Sequence, residues 1–310
     1  MNILLATDGS RFSQAAGRLV ARLPWPETRE LTVLSVVDEP ELLSTSKQRP
    51  EDATPQEGHQ LQQTLQQDAQ RLLTREAERF AAMGWAPRTL VREGPVAHAI
   101  MSVAEALGTD VIAMGSRGLG GVKRFLLGSV SQQVMTYAPC SVLIARQPDD
   151  LDSHSEDAAN LQPEQSDTPL RVLLAYDGSP AAKVAVETLA SLRLDHRTHI
   201  LVTTVMTLMT YYRMDVLQTT SPSWQAEKQA AQDSLEQVEQ RLRSLTPNVA
   251  VQLCEGDDTS QEILDTAHAF DADLIVIGHK GRSKIERLLL GSVATRVVHH
   301  APCSVWVIRG

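Results

Sequence analysis

Disulfide-forming cysteines, long apolar runs and an excess of positive charge are all missing from this chain of 310 residues. Its three cysteines, Cys140, Cys254 and Cys303, are too few and too scattered for a disulfide framework, which favours a reducing compartment. No run approaches the roughly 18 apolar residues that a membrane-spanning helix needs. The formal charge of −9 argues against nucleic acid or an anionic membrane as a partner. Because the N-terminus also lacks the basic start of a secretion signal, we predict a cytoplasmic protein. We also predict that it binds neither nucleic acid nor a membrane.

Several motifs of enzyme active sites are missing as well. The chain has no Gly-x4-Gly-Lys-Ser/Thr loop, no Gly-x-Gly-x-x-Gly after its first strand and no Gly-x-Ser-x-Gly elbow. A P-loop NTPase and a dinucleotide-dependent dehydrogenase therefore have no support. The nine histidines are scattered, and His299-His300 at a helix end suits the helix dipole better than a metal ion. We predict no catalytic residue and no metal-ligating residue.

The chain does contain an internal repeat. Residues 3–10 return with similar sequence as residues 172–179, and residues 110–115 return as 273–278. A solenoid needs three or more short units, whereas two copies of this size predict two complete domains. The repeat therefore indicates a tandem duplication.

An acidic segment separates the two copies. Residues 147–169 hold seven acidic residues and three prolines but no Lys or Arg. This composition predicts a flexible, self-repelling linker, although an acidic tail that binds a partner is an alternative. We name residues 1–146 copy 1 and residues 170–310 copy 2, and we predict a domain for each. Since the linker holds most of the net negative charge, the domains themselves remain compatible with phosphate ligands.

Within each copy, short apolar runs alternate with helical patterns. Continuous apolar runs without strict alternation are typical of strands covered on both faces of a parallel sheet. The predicted strands are 2–7, 30–37, 87–92, 110–114 and 140–146 in copy 1, and 170–176, 198–205, 249–254, 273–277 and 303–308 in copy 2. Apolar stripes predict helices over 57–83, where the stripe from Leu61 to Phe80 is interrupted by Glu76, and over 221–245. The alternation predicts two open, doubly wound α/β domains.

Doubly wound sheets bind ligands at the C-terminal ends of their strands, where the strand order reverses. The first strand of each copy ends in Asp-Gly-Ser, and its carboxylate can either cap the next helix or accept a hydrogen bond from a ribose. The fourth strand runs into Gly-x2-Gly-x9-Gly-Ser in both copies. Glycines allow close backbone approach, and a helix that starts at the Gly-Ser presents free N–H groups, so the spacing suits phosphates. The alternative is that these glycines are simple turn residues.

Basic residues lie within and near this motif. Arg117 and Lys280 lie between its first two glycines, where they either neutralise phosphate charge or are solvated; the neighbouring residues Lys123, Arg124, Lys284 and Arg287 allow the same two interpretations. Efficient hydrolysis needs a positioned base or a metal-held water. No obvious carboxylate pair supplies either, so the sequence supports binding better than turnover.

The doubled motif, together with the first strand ending in Asp-Gly-Ser, resembles the universal stress protein family over everything except the linker. This resemblance implies a five-stranded parallel sheet in the order 3-2-1-4-5 and an adenine nucleotide (ATP, ADP or AMP) with Mg²⁺ in the crevice. It implies a role in the stress response, with nucleotide occupancy altering conformation or contacts with protein partners. Dimerisation through the fifth strands is also implied, either as an intramolecular pseudo-dimer of the two domains or as a homodimer. The alternatives are a slow ATPase, an adenylyl- or phosphoryl-transfer enzyme, and a scaffold that does not use nucleotide.

Site residues follow from the resemblance position by position. Asp8, next to Thr7, would meet the ribose, and Val36 would meet adenine through its backbone. In copy 1 the remaining nucleoside and phosphate positions are Met114, Gly115, Arg117, Gly118, Gly128, Ser129, Val130 and Ser131. The matching positions in copy 2 are Asp177, Val205, Ile277, Gly278, Lys280, Gly281, Gly291, Ser292 and Val293. Ala294 replaces Ser131 and Tyr176 replaces Thr7, so we expect the second site to bind more weakly or to prefer a different nucleotide.

Overall fold

A computed structural model describes most of both copies. The described residues are 1–38, 55–118, 127–146, 168–207, 221–281 and 290–310. The predicted linker, apart from Thr168 and Pro169, lies outside them, as do Lys123, Arg124, Lys284 and Arg287. Within these ranges no helix combines the length and the apolar character that crossing a membrane requires.

The chain divides into two compact units. The first contains Met1–Leu23 and Glu27–Ala145, and the second contains Pro24–Pro26 and Arg146–Gly310. Each unit carries one five-stranded parallel sheet, which we describe separately for the two copies.

In copy 1 strands and helices alternate along the described chain. The elements are β1 (Asn2–Ala6), α1 (Arg11–Arg22), β2 (Glu30–Val37), α2 (Pro55–Ala82), β3 (Arg88–Glu93), α3 (Val96–Ala106), β4 (Val111–Gly115), α4 (Ser129–Tyr137) and β5 (Ser141–Ala145). The strands lie in the order β3-β2-β1-β4-β5, and every neighbouring pair is parallel. Strands β4 and β5 are buried along their whole length, whereas β3 is a largely exposed edge strand.

Copy 2 repeats this arrangement. Its elements are β6 (Leu170–Ala175), α5 (Pro180–Ala190), β7 (Thr198–Thr207), α6 (Pro222–Arg243), β8 (Val249–Gly256), α7 (Thr259–Ala269), β9 (Leu274–Gly278), α8 (Ser292–His300) and β10 (Ser304–Ile308). The order is β8-β7-β6-β9-β10, again with parallel neighbours. The order reverses beside the first strand of each copy, so the ends of β1 and β4, and of β6 and β9, flank a crevice.

The predicted α/β class and the strand order 3-2-1-4-5 are confirmed in both copies. All ten predicted strands are present, with ends within two residues of the prediction. The long helices α2 and α6 also lie where the apolar stripes placed them. In α2 the buried face is shorter than the stripe, because Leu61 is 43% exposed and the fully buried residues are Leu73 and Phe80.

Candidate functional site

The Asp-Gly-Ser turn after the first strand has the same geometry in both copies. Asp8 Oδ1 accepts a hydrogen bond of 3.0 Å from the backbone N–H of Ser10, and Gly9 lies between them with φ of +78°. Ser10, and not Asp8, caps α1, since its side chain accepts from the N–H of Ser13 at 3.2 Å. The aspartate therefore shapes the turn through one oxygen.

In copy 2 the corresponding contacts have nearly the same lengths. Asp177 Oδ1 accepts from the N–H of Ser179 at 3.0 Å, and Gly178 has φ of +76°. Ser179 caps α5 by accepting from the N–H of Ala182 at 3.2 Å. The second aspartate is thus held in the same way as the first.

The loop after the fourth strand meets this aspartate at the glycine of the motif. A Cβ placed on Gly118 would lie only 2.7 Å from Asp8 Oδ2, and a Cβ on Gly281 would lie 2.9 Å from Asp177 Oδ2. A side chain at either glycine would have to displace the carboxylate. The structure thus brings together two sequence motifs that are about a hundred residues apart in the chain.

The next helix also starts at this point. Gly128 caps α4 without any side-chain hydrogen bond, and its N–H donates to the carbonyl of Ser116 at 2.9 Å. A Cβ on Gly128 would lie 3.4 Å from the Cα of Arg117, so the helix begins directly beside the Gly-x2-Gly loop. The first N–H groups of a helix have no intrahelical partner, and the helix dipole makes this end positive. Ser129 and Val130, the first two residues of α4, therefore lie at a place that favours an anion.

Copy 2 forms the same helix start. Gly291 caps α8, and its N–H donates to the carbonyl of His279 at 2.7 Å. A Cβ on Gly291 would lie 3.4 Å from the Cα of Lys280. Ser292 and Val293 therefore stand where Ser129 and Val130 stand in copy 1.

The first glycine of each motif has a packing role. A Cβ on Gly115 would lie 2.6 Å from the backbone carbonyl carbon of Phe12, and one on Gly278 would lie 2.9 Å from the Cβ of Ala181. These glycines let the first turn of α1 or α5 rest against the end of the fourth strand. Ser131 is buried, and its hydroxyl donates to the carbonyl of Gly115 at 2.9 Å. Its predicted contact with phosphate stays a prediction.

The predicted nucleoside positions lie at the ends of the central strands. Val36 and Val205 are half-buried near the ends of β2 and β7, and Met114 and Ile277 are buried just before the first glycine of each motif. Thr7 is buried, and its hydroxyl lies 3.1 Å from the hydroxyl of Ser13 on α1.

Tyr176 changes this part of the site in copy 2. Its side chain is only 7% exposed, and its hydroxyl lies 3.3 Å from that of Ser234 on α6. In copy 1 the facing surface of α2 presents Leu72, which would lie 3.3 Å from a Cβ placed on Gly9. Copy 2 therefore carries a phenol ring where copy 1 has a small hydroxyl side chain.

Sequence reasoning did not find the aromatic ring that holds two arginines in copy 1. The guanidinium carbons of Arg11 and Arg117 lie 4.8 and 4.6 Å from the ring centroid of Phe12. Copy 2 has Pro180 and Ala181 at the positions of Arg11 and Phe12 in the repeat. The available signal was an arginine in the first turn of a helix, where the dipole disfavours a cation.

His279 is a second feature of the site that its sequence motif did not predict. Its backbone N–H and its ring Nδ1 both contact the carbonyl of Ile308, at 2.8 and 3.2 Å. Burial lowers the pKa of His279, the charge of Arg309 and then of Lys280 lowers it further, and the carbonyl of Ile308 opposes the shift. In copy 1 the equivalent residue is Ser116, which cannot titrate.

All three cysteines are free, and burial, with a smaller contribution from Asp273, raises the pKa of Cys303 to about 12. That thiol is therefore protonated at neutral pH and behaves as a small apolar side chain. Over the part of the chain that the structure describes, no three His, Cys, Asp or Glu side chains come close enough to share a metal ion.

Comparison with known proteins agrees with this architecture. The model of the universal stress protein family matches residues 1–146 and 170–309. A universal stress protein of Mycolicibacterium smegmatis is 28% identical over 227 residues, which are 73% of this chain and 70% of that protein. Universal stress protein YxiE of Bacillus subtilis is 31% identical over 145 residues, 46% of this chain and 97% of its own.

A solved structure shares the fold over nearly the whole length. The crystal structure of a universal stress protein from Archaeoglobus fulgidus aligns with a TM-score of 0.63 and 21% sequence identity. The alignment covers 99% of this chain and 98% of the other. At this identity the likeness supports the fold.

Proposed function

This chain belongs to the universal stress protein family, and on that premise we propose that the crevice in each copy binds an adenine nucleotide, ATP, ADP or AMP, accompanied by Mg²⁺. Occupancy of the crevice would then alter the contacts of the protein with partners in the stress response. We also propose that the protein acts in the cytoplasm, with its two domains paired as an intramolecular pseudo-dimer or with two chains paired as a homodimer.

The observation that carries this proposal is the glycine cradle at the crevice. Gly118 and Gly281 each lie so close to an aspartate carboxylate that a Cβ would overlap with it, at 2.7 and 2.9 Å. A bare backbone beside a carboxylate lets a ribose hydroxyl reach the carboxylate while phosphates approach main-chain N–H groups. The residues present thus fit a nucleotide.

Each part of the cradle has a distinct role in this proposal. Asp8 or Asp177 would accept a hydrogen bond from the ribose. The N-terminal residues of α4 or α8, beginning at Ser129 or Ser292, would donate to phosphate oxygens. Arg117 or Lys280 would neutralise phosphate charge. A bound nucleotide supplies the negative charge that these donors and cations favour.

Paired glycine substitutions test the proposal. Gly118→Val places a side chain against Asp8 and should abolish binding in copy 1 alone, and Gly281→Val should do the same in copy 2. Because the carboxylate displaced in each case is the end of a side chain near the surface, both variants should stay folded, which their circular dichroism and urea midpoints check. Calorimetry of the full chain with Mg-ATP should show two sites in the wild type, one in each single variant and none in the double variant.

Absence of saturable heat with the wild-type protein would contradict the proposal. So would unchanged binding in the double variant. Chemical analysis of small molecules released from freshly purified protein gives an independent check, since a tightly held nucleotide is expected to co-purify. Phosphate release measured on the same samples separates binding from slow hydrolysis.

A further inference from the structure

The last residue of copy 1 holds a helix of the second compact unit. Arg146 directly follows β5 in the chain, but it belongs to the unit that contains copy 2. Its guanidinium Nη2 donates to the carbonyls of Val298 and His299, at 2.6 and 3.0 Å. Its backbone N–H donates to the hydroxyl oxygen of Ser304 at 3.1 Å. Arg146 therefore joins the C-terminal end of α8 to the start of β10.

These contacts suit the C-terminal end of a helix. The last carbonyls of a helix have no intrahelical partner, and the helix dipole makes this end negative. An arginine supplies hydrogen-bond donors and a positive charge together. Because α8 has only nine residues, its position depends on contacts outside the helix. Arg146 is thus an anchor of the helix whose first residues, Ser292 and Val293, belong to the proposed phosphate site.

The N-terminal half of α8 cannot form an anchor that α4 has. In copy 1 the hydroxyl of Ser131 donates to the carbonyl of Gly115 at 2.9 Å, which ties the first turn of α4 to the end of β4. Ala294, the counterpart of Ser131, is also buried but has no hydroxyl. Arg296 in the middle of α8 pairs with Asp258, which links α8 to the start of α7 and not to the sheet. The contacts of Arg146 at the other end therefore matter more for the position of α8.

We propose that Arg146 is a positioning residue for the phosphate site of copy 2, because it holds α8 so that the N–H groups at the start of the helix face the crevice. This inference rests on the proposed function and goes beyond it by assigning a role to a residue outside both glycine motifs. Nine helical residues span about 13 Å, so Arg146 acts through the helix and does not contact the phosphates. A shift at one end of so short a helix moves the other end, and hydrogen bonds weaken steeply when their geometry is disturbed.

Ligands with and without phosphates separate this role from a general loss of stability. In the full chain carrying Gly118→Val, where copy 2 alone should bind, Arg146→Gln should weaken ATP binding by about threefold, the size expected for a cation at a helix C-terminus. Adenosine has no phosphate for the start of α8 to bind, so its affinity should stay within about twofold. Arg146→Lys should recover part of the loss, because it keeps the charge without the planar fork. Calorimetry measures both ligands on each variant.

A second substitution tests the dependence on the missing anchor. Ala294→Ser supplies a hydroxyl that can donate to the carbonyl of Gly278, as Ser131 does at the matching position in copy 1. With this anchor in place, Arg146→Gln should cost less ATP affinity than it does beside Ala294, which a double-mutant cycle measures. In copy 1, read in the Gly281→Val background, Arg146→Gln should leave ATP binding within about twofold, since α4 keeps its own anchor.

Trp25→Leu is the matched control for a loss of stability in the same unit. Trp25 also comes from the chain before the linker and belongs to the second unit, where it is buried. The centroid of its ring lies 5.5 Å from that of Trp306 on β10. Losing this contact should lower the urea midpoint, but the ratio of ATP to adenosine affinity in copy 2 should stay unchanged.

The position of the guanidinium can also be tested without any nucleotide. Burial lowers the pKa of His299, and the charges of His300 and then of Arg146 lower it further. Removing the charge with Arg146→Gln should therefore raise the pKa of His299, measured by NMR titration of the imidazole signals.

Several results would overturn the inference while the proposed function survives. Parallel losses of ATP and adenosine affinity in Arg146→Gln would show that Arg146 stabilises the unit without positioning the phosphate site. Unchanged ATP affinity in that variant, or an equal loss beside Ala294→Ser, would show that other contacts set the position of α8. An unchanged pKa of His299 would show that the guanidinium does not lie at the end of α8 in solution. If Gly118→Val protein with Arg146 intact binds no ATP, the proposed function itself fails for copy 2, and the inference fails with it.

Discussion

The two copies keep the same backbone at the crevice and differ in the side chains around it. Asp8 and Asp177 hold their turns with hydrogen bonds of 3.0 Å in both cases, and Gly118 and Gly281 lie equally tightly against them. By contrast, Tyr176 stands in place of Thr7. Both copies thus retain the glycines and the helix starts at the crevice, while the side chains around them differ.

The packing of the long helix on the first helix also differs between the copies. In copy 1, Arg79 and Glu76 of α2 form an ion pair of 3.0 Å whose side chains are only 18% and 9% exposed. Arg18 of α1 lies close by, and its pKa is lowered by burial and by the charge of Arg79, while Glu76 opposes that shift. The repeat places Glu187 at the position of Arg18.

In copy 2 a different ion pair, at the surface, joins α5 to α6. Glu187 of α5 pairs with Arg241 of α6 at 2.8 Å, and the side chains are 63% and 46% exposed. Exposed pairs contribute little to stability, whereas a buried charge that loses its partner is costly. The stability of copy 1 should therefore depend on the charges between its first helix α1 and its long helix α2. Copy 2 should tolerate the loss of its exposed pair between α5 and α6.

The largest expected effect comes from breaking the buried pair. Glu76→Gln leaves Arg79 and Arg18 close together without a carboxylate, so we expect a loss of about 2–3 kcal/mol in the free energy of unfolding of copy 1. Glu187→Gln is the matched control and should leave the urea midpoint unchanged within error. Comparable losses in both variants would show that the difference in burial is unimportant.

An exchange of the residue after the first strand tests the difference in the site itself. Tyr176→Thr removes the buried ring next to Asp177 in the chain and should strengthen nucleotide binding in copy 2 by about tenfold, on the order of one favourable contact regained. Thr7→Tyr should weaken binding in copy 1, measured by calorimetry with the other copy silenced.

Tyr176→Phe is the control for this exchange, because it keeps the ring and removes only the hydroxyl that contacts Ser234. If Tyr176→Phe strengthens binding as much as Tyr176→Thr does, the hydrogen bond to α6 and not the bulk of the ring limits the site. Weaker binding in Tyr176→Thr would mean that the ring contributes to nucleotide binding.

The smallest effect concerns pH and the residue after the fourth strand. Because the folded-state pKa of His279 lies below its ordinary value of 6.5, the unfolded chain binds more protons there. Linkage then requires that the free energy of unfolding falls as the pH drops through 6.5 towards the folded-state pKa. His279→Ser, which copies Ser116, should therefore make this fall with pH shallower.

Urea titrations of wild type and variant between neutral and mildly acidic pH measure this contribution. The pKa of His299 is lowered by burial as well, and that contribution is common to both proteins and cancels in the comparison. A variant whose stability falls just as steeply as that of the wild type would show that His279 does not titrate differently in the folded state.

The secondary structure and topology were largely predictable, because they depend on periodicity and repetition. The strand ends were accurate to within two residues, since apolar runs such as Leu173 to Ala175 are bounded by turn residues. Glu76 was recognised as an interruption of an apolar stripe, but the sequence did not explain why an acidic residue stands on the buried face of α2. The ion pair with Arg79 is an i,i+3 pair within α2, which the sequence spacing allows. Its burial and the proximity of Arg18 depend on how α1 and α2 pack, which no local pattern encodes.

The binding roles given to the residues of the candidate site stay predictions, and the structure adds the contacts among those residues. The aspartate and glycine positions were found from spacing, and the close approach of Gly118 to Asp8 gives that spacing a physical meaning. The predicted contact of Ser131 with phosphate stays a prediction, and in the structure its hydroxyl donates to the carbonyl of Gly115. Its direction depends on the distance between a helix and a strand end, which sequence does not specify.

The sequence alone determined the duplication, the strand and helix order and the types of residue at the strand ends, because these follow from repetition, hydrophobic period and the conformational properties of glycine. Only the tertiary structure decided which of those residues meet. It brought Gly118 to Asp8, Arg11 and Arg117 to one ring, and Tyr176 to Ser234. Contacts between residues far apart in the chain depend on the packing of helices against the sheet, and that packing is a property of the whole fold.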